Sequence, residues 1–541
     1  LKSFFGFFSS LHKINKANKK LLGTDMKKNI DTRMDKFKSY LDYAKFDHKS
    51  YQYDGVRWIL NNELRDLMGL INVRGGFIAD EMGLGKTIMM IGTMLCNYLP
   101  RTLIVLPPAL IDQWSVQIYR TTGHKALIFY GNDKKTISIE KLNAAPVVIT
   151  SYGAITMTEK QIKLTKGTGG LPLLHQVEWN RIIFDEAHHL RNNKTTRYIS
   201  AKMLRAKIRW LVSGTPVQNR KKDFYSLCSM VGMPASFYAD SDNLRQLASA
   251  FILKRTKKSV GILMPEVVLD KNMVRWKNPK EMMLSEELHS ALEFSRVSIK
   301  KYSNNGANGN IVNSLLDKGI LALMLRARQS CIYPKLMVKY LEKMFITGIL
   351  SDYSAYKEAF DSSSKLDSVV AKILQRKDNG CGKLIFCHFR EEIDEIAKRL
   401  RDGGMLKVAS FDGRTANAKR RAVLNDNNEA LILQIQTGCE GLNLQENYSE
   451  IYFVSANWNP AVEAQAIARC HRIGQTKQVY VERFEMCDFG SVEMEDNMVN
   501  IETVSVQTVN VQTVNVQTVN VDNYISTIQE NKRVIANECI A

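Results

Sequence analysis

Four stretches of this 541-residue chain set charged or hydroxyl side chains at the edge of apolar runs. In Asp80-Glu81-Met82-Gly83-Leu84-Gly85-Lys86-Thr87 two glycines free the backbone for close approach, and a Lys-Thr pair opens a helix. That is phosphate-binding chemistry: backbone amides and a helix N-terminus hold phosphate oxygens, Lys86 reaches the β- and γ-phosphates, and Thr87 offers a hydroxyl to Mg²⁺. Asp80 departs from the general pattern, which has Gly there, and the stretch alone also fits a glycine-rich turn. Further on, Ile182-Ile183-Phe184 runs into Asp185-Glu186-Ala187-His188. Asp185 suits Mg²⁺ held through water, and Glu186 suits a base that orients and deprotonates an attacking water. An acidic pair can also merely cap a helix.

The third stretch, VSGTPVQN (212 to 219), brings Ser213, Thr215 and Gln218 to another strand end, as a relay of γ-phosphate state or as a plain turn. The fourth, PAVEAQAIARCHRIGQ (460 to 475), starts with Pro460, a good first-turn residue, and keeps helical spacing. Gln465, Arg469 and Arg472 then share one face at i, i+4 and i+7, with Val462, Ala466, Ile467 and Cys470 on the opposite, buried side. Two guanidinium forks suit a phosphoryl transition state, and a solvated helix face is the alternative.

The elements that must position these groups are legible as two series of β-branched runs. GGFIA (75 to 79), TLIVLP (102 to 107), PVVITSY (146 to 152), RIIFDEA (181 to 187) and RWLVSGT (209 to 215) make the first. KLIFCHF (383 to 389), KVASFDG (407 to 413), ALILQI (430 to 435), EIYFVS (450 to 455) and QVYVERF (478 to 484) make the second. Near-continuous apolar runs suit parallel strands buried on both faces, with helices as crossovers. The reading is an α/β protein of two such lobes, with helical insertions between them.

With 45% hydrophobic residues and 9% aromatics the composition is that of a folded protein. The 75 Lys and Arg exceed the 55 Asp and Glu by 20, which favours a polyanionic partner without specifying it. The excess is uneven: residues 1–50 carry a net +7 and residues 491–541 a net −5. Nine cysteines include no C-x-x-C pair, so reduced, buried thiols and no zinc site are expected. The apolar run Phe4 to Phe8 is too short for a membrane span and lacks a cleavage site, which argues against membrane insertion and secretion. A start at Leu1 rather than Met leaves the N-terminus open. The tail repeats VQTVN three times (506 to 520), for which disorder and a β-arch both stand.

Taken in order, these motifs resemble the SWI/SNF-type ATPases, the DNA-translocating branch of helicase superfamily two. The likeness covers residues 48 to 486 and includes SYQYDGVRWIL (50 to 60), DEMGLGKT, LIVLPPALIDQW (103 to 114), VVITSYG (147 to 153), DEAHHLRN (185 to 192), VSGTPVQN, FILKRTKKSV (251 to 260), RARQSCIYPKL (326 to 336), FDGRT (411 to 415), TGCEGLNL (437 to 444) and NWNPAVEAQAIARCHRIGQ (457 to 475). The RARQSCIYPKL and WNPAVE wording is similar to the branch of repair translocases and a transcription-termination factor.

The resemblance implies two tandem RecA-like lobes and an ATP-dependent translocase on double-stranded DNA, with ATP and Mg²⁺ as cofactors. It makes Asp80 the expected residue, and it makes residues 80 to 87 with Gln52, the adenine reader, and Gln465 the nucleotide site. Lys86, Asp185, Glu186, Arg469 and Arg472 are then the catalytic set, with Arg472 as the finger, and Thr87 and Asp185 are the metal ligands. Thr150, Ser151, Tyr152, Gly413, Arg414, Gly438 and Asn443 line the DNA groove. Cys439, Glu440, Ser455 and Ala468 depart from the family's usual residues.

The implied partner is duplex DNA, with a nucleosome or another DNA-bound protein as target, worked on by a monomeric motor. The implied location is the nucleus or another intracellular DNA-containing compartment, a viral factory included. The implied domains are a basic segment 1–47, lobe 1 at 48–235, helical insertions and linker at 236–365, lobe 2 at 366–490 and an acidic low-complexity tail at 491–541. Deleting that tail is expected to leave the motor intact. Two rivals are a DEAH-type RNA helicase, against which SGTPVQN and QAIARCHRIGQ argue, and a non-catalytic DNA-binding scaffold.

Overall fold

The computed structural model describes residues 24–65, 73–164, 170–215, 221–238, 243, 249–290, 292–294, 299–301, 319–350, 352–415, 422–424, 426–438, 442–489 and 520–540. Gln218, Cys439, Glu440 and the VQTVN repeats up to residue 519 lie outside them. The chain divides into two compact units, the first of Leu1–Leu263 with Val534–Ala541 and the second of Met264–Arg533.

The first unit is built on a parallel sheet of seven strands: β1 (Gly75–Ile78), β2 (Thr102–Leu106), β3 (Leu127–Phe129), β4 (Val147–Ser151), β5 (Glu178–Asp185), β6 (Arg205–Val212) and β7 (Ile252–Leu253). Their order is β3-β4-β2-β5-β6-β1-β7. Side chains alternate between two cores: Leu103 and Val105 of β2 face one, Ile104 and Leu106 the other. Burial on both faces is what the near-continuous apolar runs demanded. The short strands β3 and β7 were not expected from the sequence.

Helix α1 (Thr24–Ala44) buries Ile30, Met34, Phe37 and Leu41 against α2 (Ser50–Leu64) and α3 (Lys86–Cys96). A Cβ on Gly92 of α3 would lie 2.4 Å from the Phe37 ring, so only glycine admits this contact. Arg33 donates to Asn97 Oδ1 at 2.9 Å and to Cys96 O at 3.1 Å. From Ile30 onward, then, the basic N-terminal segment contributes to the first core. Its apolar residues recur at helical spacing, and the lysines between them hid that. Helix α4 (Ile111–Thr122) covers the same face and buries Trp114.

The second unit carries β8 (Val267–Val274), a two-stranded antiparallel ribbon of β9 (Leu292–Phe294) and β10 (Ile299–Lys301), and then β11 (Gly382–Cys387), β12 (Val408–Phe411), β13 (Ala430–Gln434), β14 (Tyr448–Phe453) and β15 (Val479–Met486). Its main sheet is parallel in the order β12-β13-β11-β14-β15-β8. The stretch 236–365 is therefore not one helical linker. It supplies β7 to the first sheet and β8 to the second. Only after Val274 does it become the expected insertion, where α5 (Pro279–Ser290), α6 (Ile320–Ile332) and α7 (Val338–Ile346) pack through Leu284, Leu288, Leu323, Ala327 and Leu341. Helices α8 (Ser364–Gln375), α9 (Arg390–Asp402) and α10 (Pro460–Cys470) follow. Asn459 caps α10 by accepting from Ala461 N at 3.1 Å.

Helix α11 (Val521–Ile540) corrects the reading of the tail. Val521 and Ile525 belong to the core of the second unit, and Asn520 and Asp522 are fully buried there. Each such apolar side chain contributes roughly 1.5–3 kcal/mol, so this part of the chain is not dispensable. Among the described residues no helix is long and apolar enough to cross a membrane, and the seven described cysteines form no disulfide with one another, five of them being buried.

Candidate active site

Strands β5, β6 and β1 are neighbours, and their registers place Asp185 opposite Val212 and Val212 opposite Ile78. The loop 80–87, the acidic pair and Ser213-Gly214-Thr215 therefore leave the sheet side by side at one level. This is the carboxyl edge where open α/β sheets bind ligands.

The loop itself is shaped as a cradle. Gly83 and Gly85 have φ of +95° and +80°, left-handed values that favour glycine, and Gly85 caps the eleven-residue α3. A Cβ at Gly85 would stand 2.5 Å from Gln52 Nε2, and Gln52, buried in α2, donates that amide to Leu84 O at 3.5 Å. A Cβ at Gly214 would come within 3.1 Å of Met82 Cγ and 3.6 Å of Lys86 Nζ. Lys86 Nζ donates to Asp80 O at 2.8 Å and Glu81 O at 3.3 Å, curled onto its own loop. Glycines that only a close approach explains, helix amides and an ammonium at the centre fit a polyphosphate.

Asp185 is buried, accepts Trp114 Nε1 at 2.7 Å on Oδ2 and caps Glu186 N at 3.0 Å with Oδ1. Burial and the neighbouring Glu186 carboxylate push its carboxyl up to about 6, a strain that a cation at this point would relieve. Among the described residues no cluster of three His, Cys, Asp or Glu could hold a metal. A hydroxyl and one carboxylate fit Mg²⁺, which takes its remaining ligands from water and phosphate. Glu186 has φ of +50°, uncommon for a residue with a Cβ and typical of functional positions. Its Oε2 lies 3.3 Å from His188 Nδ1, and that nitrogen lies 3.4 Å from Ser213 Oγ. A chain of polar groups thus runs from the acidic pair to the β6 strand end.

Three residues that shape this site had no role in the sequence reading. Trp114 holds Asp185. Arg255 pairs with Asp80 at 2.5 Å and donates to Tyr51 O. Lys257 reaches Glu81 at 3.1 Å while its backbone N donates to the same carboxylate at 2.7 Å. The motifs IDQW and ILKRTKK contained them, but nothing local showed which partner each would meet.

In the second unit α10 ends at Cys470, so Arg472 lies in the turn beyond it rather than on the helix face. Gln465 and Arg469 share a face as expected but are buried, at 4% and 8% exposure, instead of solvated. The Arg469 Nε has no hydrogen-bond partner among the described residues. Arg472 donates to Asn443 Oδ1, and burial together with Arg469 pushes its guanidinium below the ordinary value. A guanidinium lowered by burial and by a second positive charge beside it fits an anion.

The DNA contacts fare unevenly. Thr150, Ser151 and Tyr152 are buried. Thr150 Oγ1 donates to Phe129 O at 2.8 Å, Ser151 Oγ accepts from Ala154 N at 3.2 Å, and Tyr152 OH donates to Asp185 O at 2.7 Å. Their side chains brace the β4 end and the acidic strand. Gly413 and Asn443 are exposed, and Gly438 ends a short helical turn after β13. Arg414 is about half exposed yet tied to Asp412 at 2.6 Å and Asp394 at 2.9 Å.

Comparison with known proteins identifies the family. Residues 51–336 match the SNF2-related domain, and residues 364–474 match the helicase conserved C-terminal domain. The chain is 27% identical over 466 residues to the "Probable global transactivator" of Orgyia pseudotsugata multicapsid polyhedrosis virus, covering 82% of this chain and 87% of that one. It is 24% identical to the "ATP-dependent DNA helicase DDM1" of Arabidopsis thaliana, with 80% of this chain and 58% of the relative covered. A solved "Sulfolobus solfataricus SWI2/SNF2 ATPase core in complex with dsDNA" is 21% identical, with a TM-score of 0.36 over 81% of this chain and 88% of that one. The viral relative is matched over most of its length, whereas the chain spans only part of the cellular ones.

Proposed function

The chain belongs to the SNF2-related family of ATP-hydrolysing enzymes, and from that membership we propose that it couples ATP hydrolysis to movement along double-stranded DNA. The observation that carries the chemistry is that the loop holding Lys86 follows β1 while Asp185 ends β5 and Glu186 follows it, at one level of the sheet with only β6 between them. Lys86, freed from its loop carbonyls, binds the β- and γ-phosphates. Gln52 recognises adenine beside Gly85. Glu186 orients a water for attack on the γ-phosphorus and takes its proton, so that ADP leaves as the P–O bond breaks. Thr87 and Asp185 would hold Mg²⁺, whose charge neutralises phosphate oxygens when bound. Trp114 and Tyr152 keep the acidic pair in place. Arg469 and Arg472, with Gln465, are the groups suited to the charge that develops on the transferred phosphoryl.

Contacts to DNA run mainly through phosphates, with the exposed Gly413 and Asn443 and the turn that ends at Gly438 as the contact points. Arg414 joins them by exchanging a carboxylate for a phosphate. Sequence preference is therefore weak, and the work is displacement of a nucleosome or other DNA-bound protein by a monomeric motor in a compartment that holds DNA. The test is ATP hydrolysis with and without duplex DNA over a salt series. Stimulation that falls steeply with salt, together with triplex displacement, supports the reading. Equal stimulation by single-stranded RNA, or no hydrolysis, overturns it.

A further inference from the structure

The turn 455–459 launches α10, the helix that carries Gln465 and Arg469 and leads to Arg472, and it is held almost entirely by groups from elsewhere in the sequence. Asp522 of α11, fully buried, accepts Lys365 Nζ at 2.5 Å, Met486 N at 3.0 Å and Ser455 Oγ at 3.3 Å. Arg328 of α6 donates to Ala456 O, lies 3.5 Å from Ser455 Oγ and 2.6 Å from His388 Nε2, and sets its guanidinium 5.9 Å over the Trp458 ring. Farther along α11, Gln529 Nε2 donates to Asn457 O at 2.6 Å and to Glu463 Oε1 at 2.7 Å. Lys532 Nζ donates to Trp458 O at 2.5 Å. Glu463, in the first turn of α10, closes the set by accepting Asn457 N at 2.7 Å.

We propose that Asp522 is a positioning residue for the arginines of the second unit: α11 brings a carboxylate to Ser455, and so fixes where α10 begins. This rests on the reading of Arg469 and Arg472 as catalytic groups. The two cations of the buried nest, Lys365 and Arg328, are both drawn to the Asp522 carboxylate, which comes from another element. Without Asp522, Lys365 is buried without the carboxylate it bonds, and the turn loses its tie to α11 through Ser455. A helix moves as a unit, so a small displacement of its start is passed to Arg469 and Arg472, and a misplacement of about 1 Å is enough to cost about a hundredfold in rate.

The experiment uses the full chain with Asp522→Asn and with Asp522→Asn combined with Ser455→Asp. Because Ser455 Oγ stands 3.3 Å from Asp522 Oδ1, a carboxylate at 455 occupies the same nest. The measurements are kcat and KM for ATP with duplex DNA, melting temperature, and amide hydrogen exchange across residues 456–463. The single variant is expected to fold, to lose about tenfold or more in kcat with KM within about twofold, and to exchange faster over 456–463. The double variant is expected to recover most of both. A merely structural Asp522 would lower the melting temperature, leave kcat of the folded protein unchanged and gain nothing from Ser455→Asp, and that result overturns the proposal. If Asp522→Asn does not fold, Gln529→Ala is the second variant, expected to show the same split between kcat and KM and the same faster exchange. Unchanged kcat and exchange there overturn it. If the unaltered chain hydrolyses no ATP, the motor reading fails, while exchange over 456–463 and its recovery in the double variant still decide whether Asp522 positions the turn.

Discussion

In the first unit the groups suited to meet phosphate sit at the ends of neighbouring parallel strands, and distant side chains such as Trp114 and Arg255 only steady carboxylates that the strands have already placed. In the second unit the arginines depend on a turn held by α6 and α11, which reach it from far away in the chain. The difference matters for how each can fail. A change at the first site removes a chemical group and leaves the scaffold, whereas a change around the second disturbs geometry before it touches a reacting atom.

The sharpest test of that contrast is at the first site, where Lys86→Ala and Glu186→Gln are expected to abolish phosphate release. The Glu186 variant should still bind ATP, and near-normal turnover by either folded protein would remove the site. Next in size, Arg472→Ala is expected to lower kcat on the order of 10³-fold with nucleotide affinity much less affected. A change confined to KM would make it a ground-state binder.

Stopping the chain after residue 519 removes α11 and strands Lys365 without its counter-charge, a loss of roughly 3–5 kcal/mol beyond the apolar burial. The second unit is expected to melt well below the first, as two transitions in calorimetry, and one unshifted transition would return α11 to a dispensable tail. Trp114→Phe keeps the packing but takes the indole donor from Asp185, so the Mg²⁺ concentration for half-maximal activity should rise about tenfold with stability little changed. No change in Mg²⁺ dependence would reduce Trp114 to packing.

The smallest effect concerns Glu392, whose buried Oε2 accepts His388 N and Phe389 N, both at 2.9 Å. Burial pushes this carboxyl up to about 7, above its ordinary value, against the pull of those two amides. The folded protein then keeps a proton that the unfolded chain releases above its ordinary carboxylate pKa, so stability falls as pH rises toward 7 and is flat beyond. Glu392→Gln lacks this term, and the melting-temperature gap between variant and parent should widen in favour of the variant from pH 5 to 7. A gap independent of pH would mean that Glu392 titrates normally.

How much of this was legible in the sequence follows the same division. The apolar runs 75–79, 102–107 and 181–187 and their partners in the second series all became strands, because burial on both faces leaves a mark in every residue of the run. Gly83, Gly85, Lys86 and Asp185 could be found because turn glycines and strand-end charges stand out locally. Trp114 and Arg255 were invisible as site residues, since their partners Asp185 and Asp80 lie 71 and 175 positions away. The internal partners of Thr150, Ser151 and Tyr152 were equally hidden, because a polar residue at a strand end reads as surface until those partners are known. Asp522 was hidden behind the repeats, in a segment whose composition gave no reason to expect a core.

Asn272 of β8 and Glu482 of β15, hydrogen-bonded neighbours in the second sheet, are 210 positions apart. A ribosome makes about 5–20 residues each second, so β8 waits on the order of ten seconds or more as an unpaired edge before its neighbour exists. The first unit, whose strands all precede it, can close during that interval. The exposed Leu269 and Met273 of β8 are therefore where nascent chains would stick to one another or recruit a chaperone, and slowing synthesis after residue 274 is the condition under which that hazard grows.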